Sequence, residues 1–284
     1  MRALITGASG MLGRDMAKEF CRRGFEVVTL DRGGLDITDL ACVNRAFKEH
    51  GPHLAVNCAG FTKVDRAESQ RREAFLVNGL GPRNLALACG ETGAALVQIS
   101  TDYVFDGRLD RPYEVYDVPG PVNVYGASKL WGERAVLGLL RASYIIRTGW
   151  LFGLGGENFV SAMISLGREG KPVQVVDDQF GCPTFTEDLA RAVSDLAQTG
   201  CYGIYHITNQ NATTWFKFAG AIFDRSKLVV DLIPCRTRDT GRAASRPGFS
   251  VLDPFPLQET IGYLLPRWED ALWRYLSKKG ELQA

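Results

Sequence analysis

The chain has 284 residues, enough to bury a sizeable core as one large domain or as a nucleotide-binding domain with a smaller companion. Its 33 lysines and arginines nearly balance 32 aspartates and glutamates, for a net charge of +1, and no basic stretch of the nucleic-acid-binding kind occurs. There is no run of ~18 apolar residues and no signal-peptide pattern at Met1-Arg2-Ala-Leu4, so a soluble, cytoplasmic protein with neither a nucleic-acid nor a membrane partner is expected.

The first element is an apolar strand, Arg2-Ala-Leu-Ile-Thr6, followed at once by a glycine-punctuated turn and an amphipathic helix over Met11 to Cys21. Gly7, Gly10 and Gly13 thus fall between strand and helix, where glycines let a backbone turn tightly and approach a pyrophosphate. The helix start, with Met11 and Leu12, presents free N–H groups to that anion. The spacing G-x-x-G-x-x-G is the variant of short-chain and extended reductase-type dinucleotide folds. A second strand, Phe25 to Asp31, ends on a carboxylate suited to a ribose 2′-hydroxyl, while the adjacent Arg32 suits a 2′-phosphate. NADH and NADPH therefore both stay open as cofactors. Asp36 and Ile37 follow in a loop that either borders an adenine or is a surface turn.

A third strand, Leu54 to Asn57, leads into Cys58, Ala59 and Gly60, expected as a wall beside the cofactor. Glu73 to Cys89 reads as a helix kinked or restarted around Gly79, Gly81 and Pro82. Asn78 within it is either an anchor behind Tyr125 or a helix-surface residue. A fourth strand, Ala94 to Ser100, runs into Ser100-Thr-Asp-Tyr-Val-Phe-Asp-Gly107. The Thr101 hydroxyl at its tip is a strand-end cap or a donor to a substrate carbonyl.

Tyr125 and Lys129 are the most informative pair. They sit at i and i+4 on a helix from Tyr125 to Leu140, so they share a face. A neighbouring ammonium is expected to lower the phenol's pKa, making Tyr125 a proton donor to a carbonyl oxygen as hydride reaches the carbon. Thr101, Tyr125 and Lys129 then form a catalytic set of polariser, donor and tuner. A fifth strand, Ser143 to Arg147, completes the β–α alternation of residues 1–148. The fold class expected is α/β, a Rossmann-like doubly wound parallel sheet with a smaller C-terminal substrate-binding region. Residues 149–284 are expected to supply that region, with some strands returning to the main sheet.

In that second half, helices are expected over Asn158 to Arg168, Phe185 to Leu196, Trp215 to Phe223 and Trp268 to Leu276. Strands are expected at Val173 to Val176 and Leu228 to Ile233, and Pro234 to Pro256 should be mostly loop. Seven scattered cysteines without C-x-x-C read as free thiols, and His206, in an alternating strand-like run, reads as structural. No catalytic metal is expected.

Several segments carry a narrower resemblance: Asn57-Cys-Ala-Gly-Phe-Thr-Lys-Val-Asp-Arg-Ala-Glu68, Ser100 to Gly107, Asn123-Val-Tyr-Gly-Ala-Ser-Lys-Leu-Trp-Gly-Glu133, Arg147-Thr-Gly-Trp150, Asp177 to Thr184 and Ser245 to Asp253. In these the chain resembles the dTDP-4-dehydrorhamnose reductases, within the extended short-chain dehydrogenases/reductases. The resemblance implies reduction by NADPH or NADH of the C4 carbonyl of a dTDP-4-keto sugar, with Thr101, Tyr125 and Lys129 catalytic. It implies that Asp102 and Tyr103 face the sugar, that Trp150 packs on sugar or nucleotide, and that Arg246 and Ser250 meet the diphosphate. Gly149, Cys58, Gly60, Phe61 and Val251 depart from the usual pattern, Gly149 standing where serine is common. The resemblance extends to the regulatory β subunit of methionine adenosyltransferase, a non-catalytic NADP binder, and to reductases and epimerases of other nucleotide sugars. Oligomeric state is left open, a homodimer included.

Overall fold

In the computed structural model, which describes residues 1–282, the first half of the chain alternates strand and helix. The order is β1 (Arg2–Thr6), α1 (Met11–Arg22), β2 (Glu26–Leu30), α2 (Leu40–His50), β3 (Leu54–Asn57), α3 (Val64–Ser69), α4 (Arg71–Phe75), a π turn (Leu76–Leu80), α5 (Gly81–Thr92), β4 (Ala95–Ile99), a 3₁₀ turn (Asp102–Val104), α6 (Val124–Leu139) and β5 (Ser143–Arg147). The second half contributes β6 (Leu151–Phe152), α7 (Phe159–Arg168), β7 (Val173–Val176), β8 (Phe180–Gly181), β9 (Thr184–Phe185), α8 (Thr186–Leu196), β10 (Gly203–His206), β11 (Thr213–Thr214), α9 (Trp215–Arg225), β12 (Leu232–Cys235), α10 (Leu257–Ile261) and α11 (Trp268–Lys279). The last two residues of the expected 149–284 region lie outside the described residues.

Six strands pair in parallel in the order β10-β5-β4-β3-β1-β2. This is the Rossmann-like doubly wound sheet, with helices on both faces. β1, β3, β4 and β5 are buried almost throughout, as near-continuous apolar strands covered on both faces should be, whereas edge strand β2 alternates with exposed positions. On one face Leu12, Met16 and Phe20, spaced i, i+4, i+8 on α1, join the core formed with α8. On the other, α2 and α5 cover Leu4, Ala55, Leu96 and Ile145. β10 returns from the second half to pair with β5, and a separate aromatic core of Phe152, Phe185, Phe218 and Tyr275 holds that half together.

The helix with Pro82 restarts, as one of the two expected outcomes: it widens into the π turn, and α5 begins anew at Gly81 with Pro82 in its first turn, where its missing N–H is not needed. The strand expected at Leu228 to Ile233 forms instead at Leu232–Cys235, paired with β7. Lys227 adopts a left-handed φ of 52° and Val229 is 98% exposed, so the chain is still turning where β structure was expected.

α6 is fixed in place at its start and again in its second half. Asn123 caps its start, accepting from Gly126 N–H at 2.8 Å. Further along, the buried Glu133 carboxylate accepts from Arg147 Nη2 at 2.8 Å and Nε at 3.1 Å, and from the Ser100 hydroxyl. The Arg147 guanidinium also lies 5.1 Å over the Phe105 ring. Breaking a buried pair by removing one partner leaves the other charge uncompensated. Glu133→Ala should therefore lose about 3–5 kcal/mol in urea unfolding. Glu26→Ala, which breaks an exposed pair with Arg2, should lose less than about 1 kcal/mol. Equal losses would contradict the role given to Glu133.

Candidate active site

A cavity of about 770 Å³ opens at the carboxyl ends of β1, β3, β4 and β5, where the strand order reverses between β1 and its neighbours. Beneath it, at the strand ends, lies a buried polar network built from strand register. Thr6 lies opposite Asn57, and Asn57 opposite Gln98. The Thr6 hydroxyl donates to Asn57 Oδ1 at 2.6 Å, Asn57 Nδ2 to Gln98 Oε1 at 2.7 Å, and Gln98 Nε2 to Ile99 O at 2.7 Å. Every one of these groups is buried and paired, as buried polar groups must be.

Above this network Gly7 takes φ +63° with its α-carbon against the next loop: a Cβ there would lie 2.6 Å from Ala59 N. Gly10, the N-cap of α1, has no side chain to cap the helix and gives its own N–H to Gly7 O, so the first-turn residues Met11, Leu12 and Gly13 line the cavity without a side-chain cap on their N–H groups. Cys58, Ala59 and Gly60 form an adjacent wall. Arg32, Asp36 and Ile37 line the far end, with Asp36 accepting from Thr38 N–H and hydroxyl. Asp31 is turned away from the lining: its Oδ1 accepts from Gly33 N–H at 3.0 Å and Gly34 N–H at 3.2 Å, closing a tight Asx turn.

Asn78 is 1% exposed and not on a helix surface. It clamps Phe61 through both N–H (2.8 Å) and C=O (3.0 Å), and donates to the Ser128 hydroxyl on α6 at 3.0 Å. Its place in a π turn is what aims an amide inward from an otherwise regular helix.

Thr101, Tyr125 and Lys129 converge on the cavity. Thr101 caps the 3₁₀ turn, accepting from Tyr103 N–H at 3.2 Å and donating to Asp102 Oδ1 at 3.0 Å, and its hydroxyl favours the ionised form of the Tyr125 phenol. The Tyr103 ring meets Tyr125 edge-on at 5.9 Å. The expected effect of Lys129 on Tyr125 is absent. Burial pushes the phenol up to about 12, only partly offset by its bond to Thr101. Lys129 points Nζ at Ile99 O, 3.2 Å away, and not at the phenol. Burial pulls its ammonium down to about 8 against the weaker pull of Cys58 and Glu133. Desolvation outweighs neighbouring charge at both groups.

Trp150 holds an unusual left-handed backbone, φ 51°, and stacks flat on Trp215, with centroids 3.5 Å apart and planes 4° apart. Both rings line the cavity. Trp215 carried no signal beyond starting a helix, and its pairing joins α9 to the β5 end. Asp102 and Tyr103 line the cavity, but Arg246 and Ser250 do not. Arg246 pairs with both Asp65 oxygens, at 2.7 and 3.1 Å, and holds that carboxyl below its usual range; Ser250 bonds Asp102. His206 is buried, with Nδ1 3.0 Å from Tyr113 O, and desolvation with Arg147 holds it down to about 3. All seven cysteines are free. Among the described residues no cluster of three or more His, Cys, Asp or Glu side chains could hold a metal ion, and no helix is long and apolar enough to cross a membrane.

The family model of the RmlD substrate binding domain matches residues 1–280. The chain is 50% identical over 263 residues to a dTDP-4-dehydrorhamnose reductase of Streptomyces griseus, covering 89% of this chain and 85% of that one. It is 44% identical over 275 residues to a dTDP-4-keto-6-deoxy-D-glucose reductase of Streptomyces niveus, covering 95% of each. It is similar in structure, with a TM-score of 0.95, to a dTDP-4-dehydrorhamnose reductase from Bacillus anthracis solved in complex with NADP. That match is 40% identical and covers 98% of this chain and 99% of that one.

Lys129 gives a prediction whose sign follows from its depressed pKa. Between about 8 in the folded chain and 10.5 unfolded, the unfolded state binds more protons, so stability from this group rises with pH across that window. Lys129→Met removes the penalty. It should be more stable than the parent at pH 7 by roughly 3 kcal/mol in urea unfolding, with the advantage shrinking towards pH 10. A less stable Lys129→Met chain at pH 7 would contradict the assignment.

Proposed function

The chain belongs to the dTDP-4-dehydrorhamnose reductase family, and on that premise we propose that its cavity binds NADPH and reduces the C4 carbonyl of dTDP-4-dehydro-L-rhamnose to dTDP-L-rhamnose. The observation that carries the reading is the meeting, in one cavity, of an uncapped helix start and the Thr101–Tyr125–Lys129 set. The Gly7 turn and the first turn of α1 fit a pyrophosphate, because backbone N–H groups and a helix dipole both favour an anion there. Arg32 favours the 2′-phosphate of NADPH over the bare ribose of NADH. The Asp31 carboxylate, the candidate for the 2′-hydroxyl, gives its Oδ1 to its own turn and stands outside the cavity lining.

When bound, the reduced nicotinamide supplies the hydride. The protein's part is to hold the C4 carbonyl oxygen against the Tyr125 phenol and Thr101 hydroxyl. Tyr125 is neutral at pH 7, so its proton is available, and it passes to the oxygen as negative charge develops there. Thr101, whose one proton lies on Asp102 in the ligand-free cavity, turns it to the same oxygen when the carbonyl is bound. Lys129, with Nζ on Ile99 O in the ligand-free cavity, would hold the ribose hydroxyls of the bound cofactor. Residues 149–284 supply most of the sugar-nucleotide side, with Trp150 backed by Trp215 as an apolar wall for a pyranose face.

The Streptomyces niveus relative, named for a different 4-keto sugar, favours a second reading in which C4 of another dTDP-sugar is reduced by the same residues. A non-catalytic role as an NADP-binding regulatory subunit finds no support in the intact Thr101–Tyr125–Lys129 set. An epimerase would return its hydride and leave no net oxidised cofactor.

The test is cofactor oxidation with the 4-keto sugar generated enzymatically from dTDP-glucose, NADPH and NADH run in parallel and the product sugar identified. NADPH should be preferred. Tyr125→Phe should lower kcat by about 10²–10⁴-fold while still binding NADPH. Undiminished turnover in Tyr125→Phe would sink the proposed proton donor, and a product other than dTDP-L-rhamnose would select the second reading.

A further inference from the structure

The carboxyl group of Asp102 lies directly behind Thr101, and each of its oxygens is engaged. Oδ1 accepts from the Thr101 hydroxyl at 3.0 Å, and Oδ2 accepts from the Ser250 hydroxyl at 2.5 Å. Thr101, Asp102 and Ser250 are 4%, 3% and 3% exposed, so water competes for none of these bonds. Ser250 reaches this point from far along the chain. Its segment is bridged to Phe180 through Phe249, and its own N–H donates to Phe180 O at 2.8 Å.

The room for this arrangement comes from Gly149. A Cβ at that position would lie 2.7 Å from the Asp102 carboxyl carbon and 2.8 and 2.9 Å from its two oxygens. No side chain at 149 fits unless the carboxylate moves, and Asp102 is a short side chain already fixed by two hydrogen bonds.

A hydroxyl carries one proton. In the ligand-free cavity Thr101 gives its proton to Asp102, and its oxygen is left as an acceptor for Tyr103 N–H. The direction of the Thr101 hydroxyl is therefore set from behind, by Asp102, and Asp102 is in turn held by Ser250.

We propose that Asp102 and Ser250 are positioning residues that hold the Thr101 hydroxyl in register with the Tyr125 phenol, and that Gly149 keeps open the space they need. The proposal rests on the reductase reading and deepens it. Ser250 then acts on the reacting centre and not on the substrate's diphosphate, because its hydroxyl lies between Asp102 Oδ2 and Phe180 O and outside the cavity lining. Burial pushes the Asp102 carboxyl up to about 6. Tyr103, Tyr125 and Cys182, the titratable groups that feel its charge, are all pushed up by burial and stay neutral there. Protonating Asp102 removes an acceptor from the chain, so kcat should fall as pH drops through about 6.

The experiment compares the parent chain with Ser250→Ala, Ser250→Thr and Gly149→Ala, measuring kcat and KM for the keto sugar, the kcat–pH profile, and the Kd for dTDP. Ser250→Ala and Gly149→Ala should lose kcat by about tenfold or more, since a displacement of ~1 Å at a reacting group is enough for that. Their affinity for dTDP should be unchanged, their acidic limb shifted, and Ser250→Thr should recover the rate. Ser250→Ala introduces no overlap and keeps the test intact if Gly149→Ala fails to fold. An unchanged kcat with weakened dTDP binding in Ser250→Ala would overturn the proposal and return Ser250 to the diphosphate. If the parent chain itself turned over no keto sugar, the functional reading would fail, and a crystal structure of Gly149→Ala would then decide positioning alone. Asp102 displaced from Thr101 and Ser250 supports it, and Asp102 unmoved refutes it.

Discussion

The buried carboxylate of Glu133 is the constraint from which the geometry of the cavity follows. Tyr125, Lys129 and Glu133 stand at i, i+4 and i+8 on α6, so one face of the helix carries all three. Glu133 is tied to Arg147 at the end of β5 and to Ser100 just past β4. That tie sets the rotation and height of α6 against the sheet and so the position of the two side chains one and two turns earlier. Arg147 is followed directly by Thr148, Gly149 and Trp150, and Ser100 by Thr101 and Asp102. A single ion pair therefore governs the approach of three chain segments to the reacting centre. Burying two charges is costly, and the arrangement holds because both carboxylate oxygens and three guanidinium nitrogens find partners or aromatic faces. His206, held neutral beside Arg147, adds no third charge to disturb the pair.

The electrostatics of the centre are governed by dryness more than by pairing. Tyr125 keeps its proton and Lys129 binds its own weakly, both because water is excluded. An anionic ligand in the cavity favours the charged form of Lys129, so ligand binding and protonation of Lys129 are coupled. The site without ligand is thus poised as an acid with a half-committed cation. This is a different balance from a phenol whose proton is loosened in advance by a neighbouring ammonium. The i, i+4 spacing brings the two side chains to one face, but it does not decide where a flexible four-carbon stem points its end.

What was legible in the sequence was whatever local pattern dictates. The apolar run before Gly7, the alternation of strands and helices, and the Tyr125–Lys129 spacing lead directly to the parallel sheet and its ligand edge. Partner choice across long separations was not legible, because no period records it. Arg246 finding Asp65, Ser250 finding Asp102 and Trp215 finding Trp150 are each settled by how the second half folds back. Some signals were present and unused. Glu133 lies on the same face as Tyr125 and Lys129. Asp31 precedes two glycines by two and three residues, the pattern of a carboxylate that closes its own turn. Asn78 inside a helix rich in glycine, with a proline four residues on, marks the widened turn.

In the proposed reaction, hydride and proton meet on one carbonyl inside this cavity. The most direct measurement uses NADPH deuterated at the transferring position of the nicotinamide and locates the label in the product sugar by mass spectrometry and NMR. One deuterium at C4 of the sugar, with oxidised cofactor released in equal amount, is the result predicted. A sugar that is altered without label, or label that stays with the cofactor while turnover continues, would contradict it.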